Sequence, residues 1–414
     1  MKRFGIVAVA LAAASVLGIV LLGWVARWLT PDQNATFIAW WGVLFAGGSA
    51  LSLIQQESAR QAALADTAGQ AVPRSVWQLA AAAFGIVTLL LLVLALTPPG
   101  RALFADYHWQ SVAIMLFAFI GFSLQFLVNG IALGKRREGL YAIVVLAEPT
   151  LRLVGFLPFF VWISKPSPLW ALLATALGSY GWLSVVTKLR LGLTQPGTTE
   201  PWGQVFSRVV LLGGANALLA ALLTGYPALV TSLVGSSAGL AVFFAVVTVA
   251  RVPLMLLSPV QALVIPETTR ILAAGRVHEL YRLLGKVFLA LIVSAAAFAL
   301  GGYLLGPWAV RLLFGPKYIA SGALVALILA ASAVLAAAIL QAAVFVSLER
   351  YVFAALTWGI SLAFTMGTIL ITPGTSLVRA GAGFVVASVA SYLVSTLLLR
   401  LELGRREVSA STQP

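Results

Sequence analysis

The sequence predicts an all-α polytopic membrane protein, with twelve transmembrane helices arranged in two six-helix bundles. The chain has 414 residues, of which 61% are apolar and 9% are charged, and its mean hydropathy is +1.03. Soluble domains are about 45 to 50% apolar and about 25% charged, so this composition excludes a soluble protein. A bilayer core of about 30 Å requires about 20 apolar helical residues, and runs of this length recur along almost the whole chain.

The predicted spans follow one another with short connections. We place them at 5–29, 36–54, 76–96, 111–133, 140–163, 169–188, 207–231, 239–264, 286–306, 321–346, 351–371 and 380–401. The longest polar connection contains LGLTQPGTTEPWGQ and falls after six spans. We therefore predict an N-terminal bundle at 1–190, a cytoplasmic linker at 191–206, a C-terminal bundle at 207–401 and a cytoplasmic tail at 402–414. Two charged stretches with helical spacing, 55–70 and 267–286, are predicted to lie on the inner membrane surface.

The distribution of charge orients the chain. The formal net charge is +14, from 26 basic and 12 acidic residues. Most of the basic residues fall on one set of connections, which places both termini in the cytoplasm by the positive-inside rule. The basic excess is thereby explained by topology, so we expect no nucleic-acid partner.

Catalytic and metal chemistry have few candidates. There is no cysteine, which excludes thiol chemistry and disulfides, and two histidines, His108 and His278, cannot form a zinc cluster. The predicted outer loops offer Asp32, Asp106 and His108 as acid or base groups, too few for a glycosyltransferase. No phosphate-binding GxxxxGK[ST] loop occurs. We predict that the protein is not an enzyme, has no catalytic residue, metal or cofactor, and is a carrier.

Three charges lie inside predicted spans. Glu148 and Arg152 are four residues apart in the fifth span, so they share one helix face and can pair. Arg251 lies in the eighth span without an acidic neighbour in its helix. A buried arginine costs about 2.5 to 3.5 kcal/mol even on a lenient scale. Two arginines against one glutamate leave a surplus cation, which predicts a site for an anion. The alternative is that each arginine locks helices together.

Other polar residues and prolines complete the predicted site. Gln125 and Asn129 in the fourth span and Asn216 in the seventh are candidates for binding ligand hydroxyls, with polar contacts between helices as the alternative. Arg27, at the outer end of the first span, either faces the same cavity or extends to the interface. Prolines interrupt helical hydrogen bonding and are candidate gating hinges, with packing as the alternative. These are Pro149, Pro227, Pro253 and Pro259.

Several stretches, in this order, resemble one transporter family. They are ARWLTPDQNATFIAWWGVL with QQESARQA, LGKRREGLYAIVVLAEPTLRLVGF, GLAVFFAVVTVARVPLMLLSPVQALVIPETTRILAAGR, RLLFGPKY and SLERYVFAAL. The segment around Arg251 with its downstream IPETTR is the most specific. The sequence is similar to the polysaccharide-exporting branch of the multidrug/oligosaccharidyl-lipid/polysaccharide (MOP) superfamily, whose best-known members are Wzx-type lipid-linked oligosaccharide flippases. The short acidic and arginine signature that often follows span two is matched approximately, by Glu57 and Arg60.

The resemblance implies a MOP/MATE-like fold and a flippase of the bacterial plasma membrane that takes part in polysaccharide biosynthesis. Its cargo would be a polyprenyl-diphosphate-linked saccharide, moved from the inner to the outer leaflet by alternating access through a cationic cavity. We expect a monomer in the lipid bilayer, with glycan-assembly enzymes as further partners. The alternatives are a small-molecule exporter of the multidrug (MATE) type and a membrane glycan polymerase or ligase.

Overall fold

The computed structural model describes most of the chain. The described residues are 2–67, 70–163, 165–189, 201–208, 213–251, 277–348 and 350–411, together with residues 210 and 254. Every regular element in these ranges is helical, which confirms the predicted all-α class. The chain divides into two compact units, Met1–Ser236 and Ser237–Pro414.

The first unit contains twelve α-helices among its described residues, together with two short 3-10 helices, Ala105–Tyr107 and Gly181–Ser184. The α-helices are α1 (Lys2–Trp28), α2 (Pro31–Leu51), α3 (Leu53–Thr67), α4 (Ser75–Leu96), α5 (Pro98–Phe104), α6 (His108–Gly134), α7 (Glu138–Trp162), α8 (Pro168–Gly178), α9 (Val186–Leu189), α10 (Trp202–Arg208), α11 (Gly214–Leu223) and α12 (Tyr226–Val234). Helix α2 begins with a capping box in which Thr30 and Gln33 satisfy each other's backbone N–H, and Pro31 occupies the first turn. The side chain of Gln33 also donates to the carbonyl of Pro166, 3.2 Å away, which ties this end of α2 to the start of α8.

The second unit contains five helices in its described part. They are α13 (Ala238–Val249), α14 (Val277–Phe314), α15 (Gly322–Ser347), α16 (Tyr351–Ile371) and α17 (Ser376–Ser411). Polar contacts join α15 to α17, where Gln341 donates to the hydroxyl of Thr396 at 2.9 Å and also contacts Ser395. Arg350, just before α16, pairs with the buried Glu402 of α17 at 3.0 Å.

Ten helices in the described ranges are long and apolar enough to span a membrane. An eleventh span is broken: α11 and α12 together pass the same test but are bent by 68°. The single span predicted at 207–231 is therefore interrupted, because Pro227 lacks a backbone N–H and Gly225 separates the two helices. The predicted eighth span, 239–264, is described over 239–251 and at residue 254, so the count of twelve stays a prediction.

The boundary between the units lies after the broken span. The α11–α12 pair packs against α2 of the first unit. A Cβ atom on Gly42 would lie 2.8 Å from the carbonyl oxygen of Thr224, so the two backbones are in direct contact. The predicted division into six-helix halves at 191–206 stays a prediction, since residues 191–200 lie outside the described ranges.

The stretch predicted to lie on the inner membrane surface at 55–70 packs inside the first unit instead. Helix α3 continues the direction of the second span and packs along α6. A Cβ on Gly130 would lie 2.6 Å from the carbonyl oxygen of Gln55 and 2.7 Å from the Cβ of Ser58. The charged and amide side chains on one face of α3 bond each other, since Arg60 and Gln61 both donate to Glu57. The second such stretch, 267–286, is described from residue 277 onward as the start of α14.

Candidate substrate-binding site

Helix α7 carries the predicted intramembrane ion pair. Glu148 and Arg152 form a salt bridge one helical turn apart, as their spacing predicts. The helix continues without a break through Pro149 and Pro158. Pro149 itself is buried. The pair is therefore presented on one continuous helix, and a hinge at Pro149 stays a prediction.

Aromatic rings of α2 enclose the Arg152 guanidinium. Arg152 is 5% exposed. Its Cζ lies 5.5 Å from the ring centroid of Trp41 and 4.7 Å from that of Phe45. Both distances are within the range of cation–π attraction, which strengthens when the cation is desolvated. Trp41 and Phe45 are themselves stacked, with ring centroids 4.4 Å apart, so they form one aromatic wall.

Two glycines on the opposite side leave room for the same pair. A Cβ on Gly178, the last residue of α8, would lie 2.7 Å from Nε of Arg152 and 2.8 Å from the carbonyl oxygen of Glu148. A Cβ on Gly181 would lie 2.9 Å from the backbone nitrogen of Glu148. The absence of side chains at these positions lets the sixth span approach α7 closely enough to close over Arg152.

Helix α6 adds the two predicted amides to this region. Gln125 donates from Nε2 to Oε2 of Glu148 at 2.5 Å, so the carboxylate is held by both an arginine and an amide. Asn129 lies one turn further along α6 and is also buried. The Oε1 of Gln125, the Oδ1 of Asn129 and the Nε of Arg152 have no hydrogen-bond partner within the described residues. Buried polar atoms of this kind are costly unless water or a ligand satisfies them.

Arg251 lies in the other unit, just after the end of α13. It is half-buried, and its backbone nitrogen donates to the carbonyl of Thr248 at 3.3 Å. Across the ranges that the structure describes, no carboxylate lies within salt-bridge distance of its guanidinium. Arg152 is thus neutralised by Glu148, whereas the role of Arg251 as the surplus cation of a site shared with this pair stays a prediction. Pro253 and Pro259, which follow it, lie outside the described residues.

The remaining predicted residues lie on other helices than the Glu148 pair. Arg27 is exposed at the end of α1, and Asn216 is half-buried on α11. Pro227 is buried at the start of α12, where the seventh span bends. No group of three metal-binding side chains occurs in the described part of the chain. The structure therefore brings together Glu148, Arg152 and Gln125, while a joint role of the other candidates stays a prediction.

Four residues of the enclosure were not among the sequence candidates. Trp41 and Phe45 are four residues apart, the spacing that places two rings on one helix face. Gly178 and Gly181 form a pair of small residues on the sixth span, a pattern that permits close approach of helices. Both signals are visible in the sequence, but neither indicates which neighbouring helix carries the cation.

Comparison of the sequence with known proteins finds relatives that cover most of the chain. No family model matches the chain. Protein Rv3630 of Mycobacterium tuberculosis is 27% identical over 387 residues, covering 90% of this chain and 84% of that protein. Protein Rv1510 of the same organism is 29% identical over 340 residues, covering 80% and 75%. Both relatives are described as uncharacterized.

Solved structures of transporters match almost the whole chain. An inward-facing multidrug resistance MATE family transporter of the MOP superfamily superposes with a TM-score of 0.68 and 16% identity, covering 97% of this chain and 96% of its own. A MOP superfamily transporter of Pyrococcus furiosus superposes with a TM-score of 0.58 and 14% identity, with 96% of each chain covered. The description of that structure refers to the reverse polarity of its binding pocket. The chain therefore has the fold of MOP superfamily transporters and is a multi-pass membrane protein.

Proposed function

We propose that the protein is a flippase that moves a polyprenyl-diphosphate-linked saccharide from the inner to the outer leaflet of a bacterial plasma membrane. The fold is that of exporters, and the resemblance of the sequence to polysaccharide exporters supplies the class of cargo. The observation that carries the proposal is the state of Arg251, a half-buried arginine to which the described residues offer no carboxylate.

An arginine in this state suits a phosphate group. Its planar guanidinium donates two parallel hydrogen bonds to phosphate oxygens, and such charge-assisted bonds are about twice as strong as neutral ones. A diphosphate cannot cross hydrocarbon without compensation of its charge. In the proposed cycle Arg251 supplies that compensation, while the isoprenoid chain remains in the apolar phase.

The Glu148–Arg152 pair has a different role in this proposal. Arg152 is enclosed and already paired with Glu148. In this proposal it therefore holds α7 against α2 and the sixth span, and it does not make the first contact with the diphosphate. Glu148 is the accessible side of the cluster, since its side chain is 20% exposed, whereas Gln125 and Asn129 are buried. In the proposed cycle the unpaired amide oxygens of Gln125 and Asn129 would accept hydrogen bonds from saccharide hydroxyl groups once the cavity opens to them.

The membrane potential alone can drive the outward transport of an anionic cargo. Each negative charge carried outward across an inside-negative membrane gains about 2.3 kcal/mol per 100 mV. A diphosphate carrying two charges gains about twice that amount. The proposal therefore requires neither a bound nucleotide nor a coupling ion. Alternating access would use the bend between α11 and α12, where Gly225 and Pro227 interrupt the seventh span.

The test is transfer of the lipid-linked saccharide between leaflets of vesicles that contain the purified protein. We expect Arg251→Ala to abolish transfer and Arg251→Lys to retain part of it, because lysine keeps the charge but loses the bidentate geometry. Arg101→Ala is the matched control, since Arg101 is exposed on the short helix α5. Normal transfer by a folded Arg251→Ala protein would reject the assignment of this residue. Absence of transfer by the unmodified protein, with transfer of cationic drugs instead, would reject the flippase proposal.

A further inference from the structure

An apolar cavity of about 310 Å³ lies within the first unit, between α2, α4, α6 and the broken pair α11–α12. Small residues face it from both sides, among them Ala46 and Gly47 of α2 and Ala217, Ala221 and Gly225 of the seventh span. These side chains are too short to fill the space. The helices cannot move closer to remove it, because their backbones already touch at Gly42 and Thr224.

A second cavity of about 200 Å³ adjoins the first. The two share Ala50, Val87, Leu90 and Ala217 as lining residues. We call the combined space the α4 groove, since it follows α4 from Ala83 to Leu94. That stretch of helix is about 16 Å long at 1.5 Å per residue. The larger cavity alone reaches the lower limit of about 300 Å³ that is typical of small-molecule sites.

The chemistry of the α4 groove selects a hydrocarbon occupant. Ser232, at one end, is the single polar side chain among the described residues that line it. Apolar cavities offer water no hydrogen-bond partners and remain dry. The rim is formed by Leu90, which is 59% exposed and continues an exposed aliphatic face with Leu89 and Val93. An exposed aliphatic face on a membrane-spanning helix meets lipid chains, so the groove can be entered from the hydrocarbon phase.

We propose that the α4 groove binds the isoprenoid tail of a polyprenyl diphosphate lipid. The identity of this tail depends on the proposed function, because the cargo brings its own chain into the membrane beside the protein. The shape of the groove also favours a branched chain. Ala217 and Ala221 are four residues apart on α11, which leaves notches about 6 Å apart along the wall, and Gly225 leaves a further notch beyond the end of α11. The regularly spaced methyl branches of an isoprenoid chain fit such notches, whereas a straight acyl chain has no branches to place in them.

A tail site of this kind would have a mechanical consequence. The groove wall is the bent seventh span itself, so an occupied groove holds α11 and α12 in their bent arrangement. Binding of the tail would thus stabilise the bend at Gly225 whenever cargo is present, while the diphosphate is bound elsewhere.

The test uses the full chain in lipid nanodiscs and a polyprenyl diphosphate that carries a photoreactive group on its tail. We expect crosslinks to α4 and α11, located by peptide mass spectrometry. Ala217→Leu should lower their yield at least tenfold, because each methylene withheld from burial weakens binding about fourfold and leucine fills the waist shared by both cavities. Ala81→Leu is the matched control, since it adds the same volume on the exposed face of α4 and should leave the yield unchanged.

Three results would overturn the tail site. They are crosslinks that lie elsewhere, a yield that Ala217→Leu does not change, and equal labelling of the groove by a phosphatidylglycerol with the photoreactive group on its acyl chain. If Ala217→Leu does not fold, Ala217→Cys replaces it, because the chain has no other cysteine. Polyprenyl diphosphate should then protect this thiol from a membrane-permeant maleimide, and a lack of protection would contradict the proposal. Labelling is measured separately from transfer, so groove labelling without transfer would refute the flippase function and leave the tail site standing.

Discussion

Gly178 is the position where the smallest substitution tests the enclosure of Arg152 most directly. In Gly178→Ala the new methyl group would lie 2.7 Å from Nε of Arg152 and 2.8 Å from the carbonyl oxygen of Glu148. Neither atom can withdraw easily, because the guanidinium is held under Trp41 and Phe45 and the carbonyl belongs to the backbone of α7. Either α8 moves away from α7 or Arg152 leaves its position beside Glu148.

The expected magnitude follows from two opposing effects. Alanine is favoured over glycine in a helix by about 1 kcal/mol. Overpacking of a close contact costs about 1 to 3 kcal/mol, and separation of a buried ion pair costs about 3 to 5 kcal/mol. The net loss of stability is therefore about 0 to 2 kcal/mol if α8 shifts, and about 2 to 4 kcal/mol if the Glu148–Arg152 pair is broken.

Thermal unfolding of the purified protein, followed by tryptophan fluorescence, measures this loss. For a unit of this size we expect Tm to fall by about 2 to 4 °C per kcal/mol. Gly85→Ala is the control, because Gly85 lies exposed on α4 with nothing within 4 Å of the added carbon, and helix propensity alone should then raise or preserve Tm. A Gly178→Ala protein that gains as much stability as Gly85→Ala would refute the enclosure of Arg152 by the sixth span.

Three further changes separate buried from exposed interactions. Glu148→Gln leaves Arg152 buried without its carboxylate and should lower the free energy of unfolding by about 3 to 5 kcal/mol, measured by thermal unfolding. If the variant is instead stable and its transport no longer depends on external pH, Glu148 is a proton carrier. Gly130→Leu should separate α3 from α6 at a cost of about 1 to 3 kcal/mol in the same assay, whereas Gly139→Leu, in open space, should cost little. Arg60→Ala removes a 57% exposed salt-bridge partner and should change stability by less than about 1 kcal/mol; a larger drop would contradict this.

The parts of the fold that depend on local pattern were predictable from the sequence. Hydropathy located the spans, because membrane-spanning helices need about 20 apolar residues whatever their neighbours are. The spacing of Glu148 and Arg152 predicted their pairing, since residues four apart share a helix face. Both properties belong to a single helix. The pairing of Glu148 with Arg152 was confirmed, and ten of the twelve predicted spans correspond to continuous apolar helices in the described ranges.

The parts that depend on contacts between helices were not predictable in the same way. The aromatic wall of Trp41 and Phe45 acts on Arg152 because α2 is a neighbour of α7, and no pattern within either helix records that. Pro227 was a candidate hinge from the sequence, but the break of this span into two helices was not predicted, because a hydropathy window averages over the residues on either side of Gly225. The burial of α3 was missed because its charged residues resemble an interfacial helix, while Gly130 and Gly134 of α6 provide the surface that covers it.

The pairing of carboxylates bears on whether the cargo is an anion or a cation. Glu57 is paired with Arg60 and Glu402 with Arg350, just as Glu148 is paired with Arg152. A cationic substrate that used Glu148 would have to displace Arg152, and removing one partner of a buried pair costs about 3 to 5 kcal/mol. Arg60 and Arg350 are more than half exposed, so displacing either of them costs less. An anionic substrate meets no such cost at Arg251, which lacks a carboxylate partner in the described ranges. Under the proposed function, the state of Glu148 and Arg251 therefore supports an anionic cargo over the cations of a multidrug exporter.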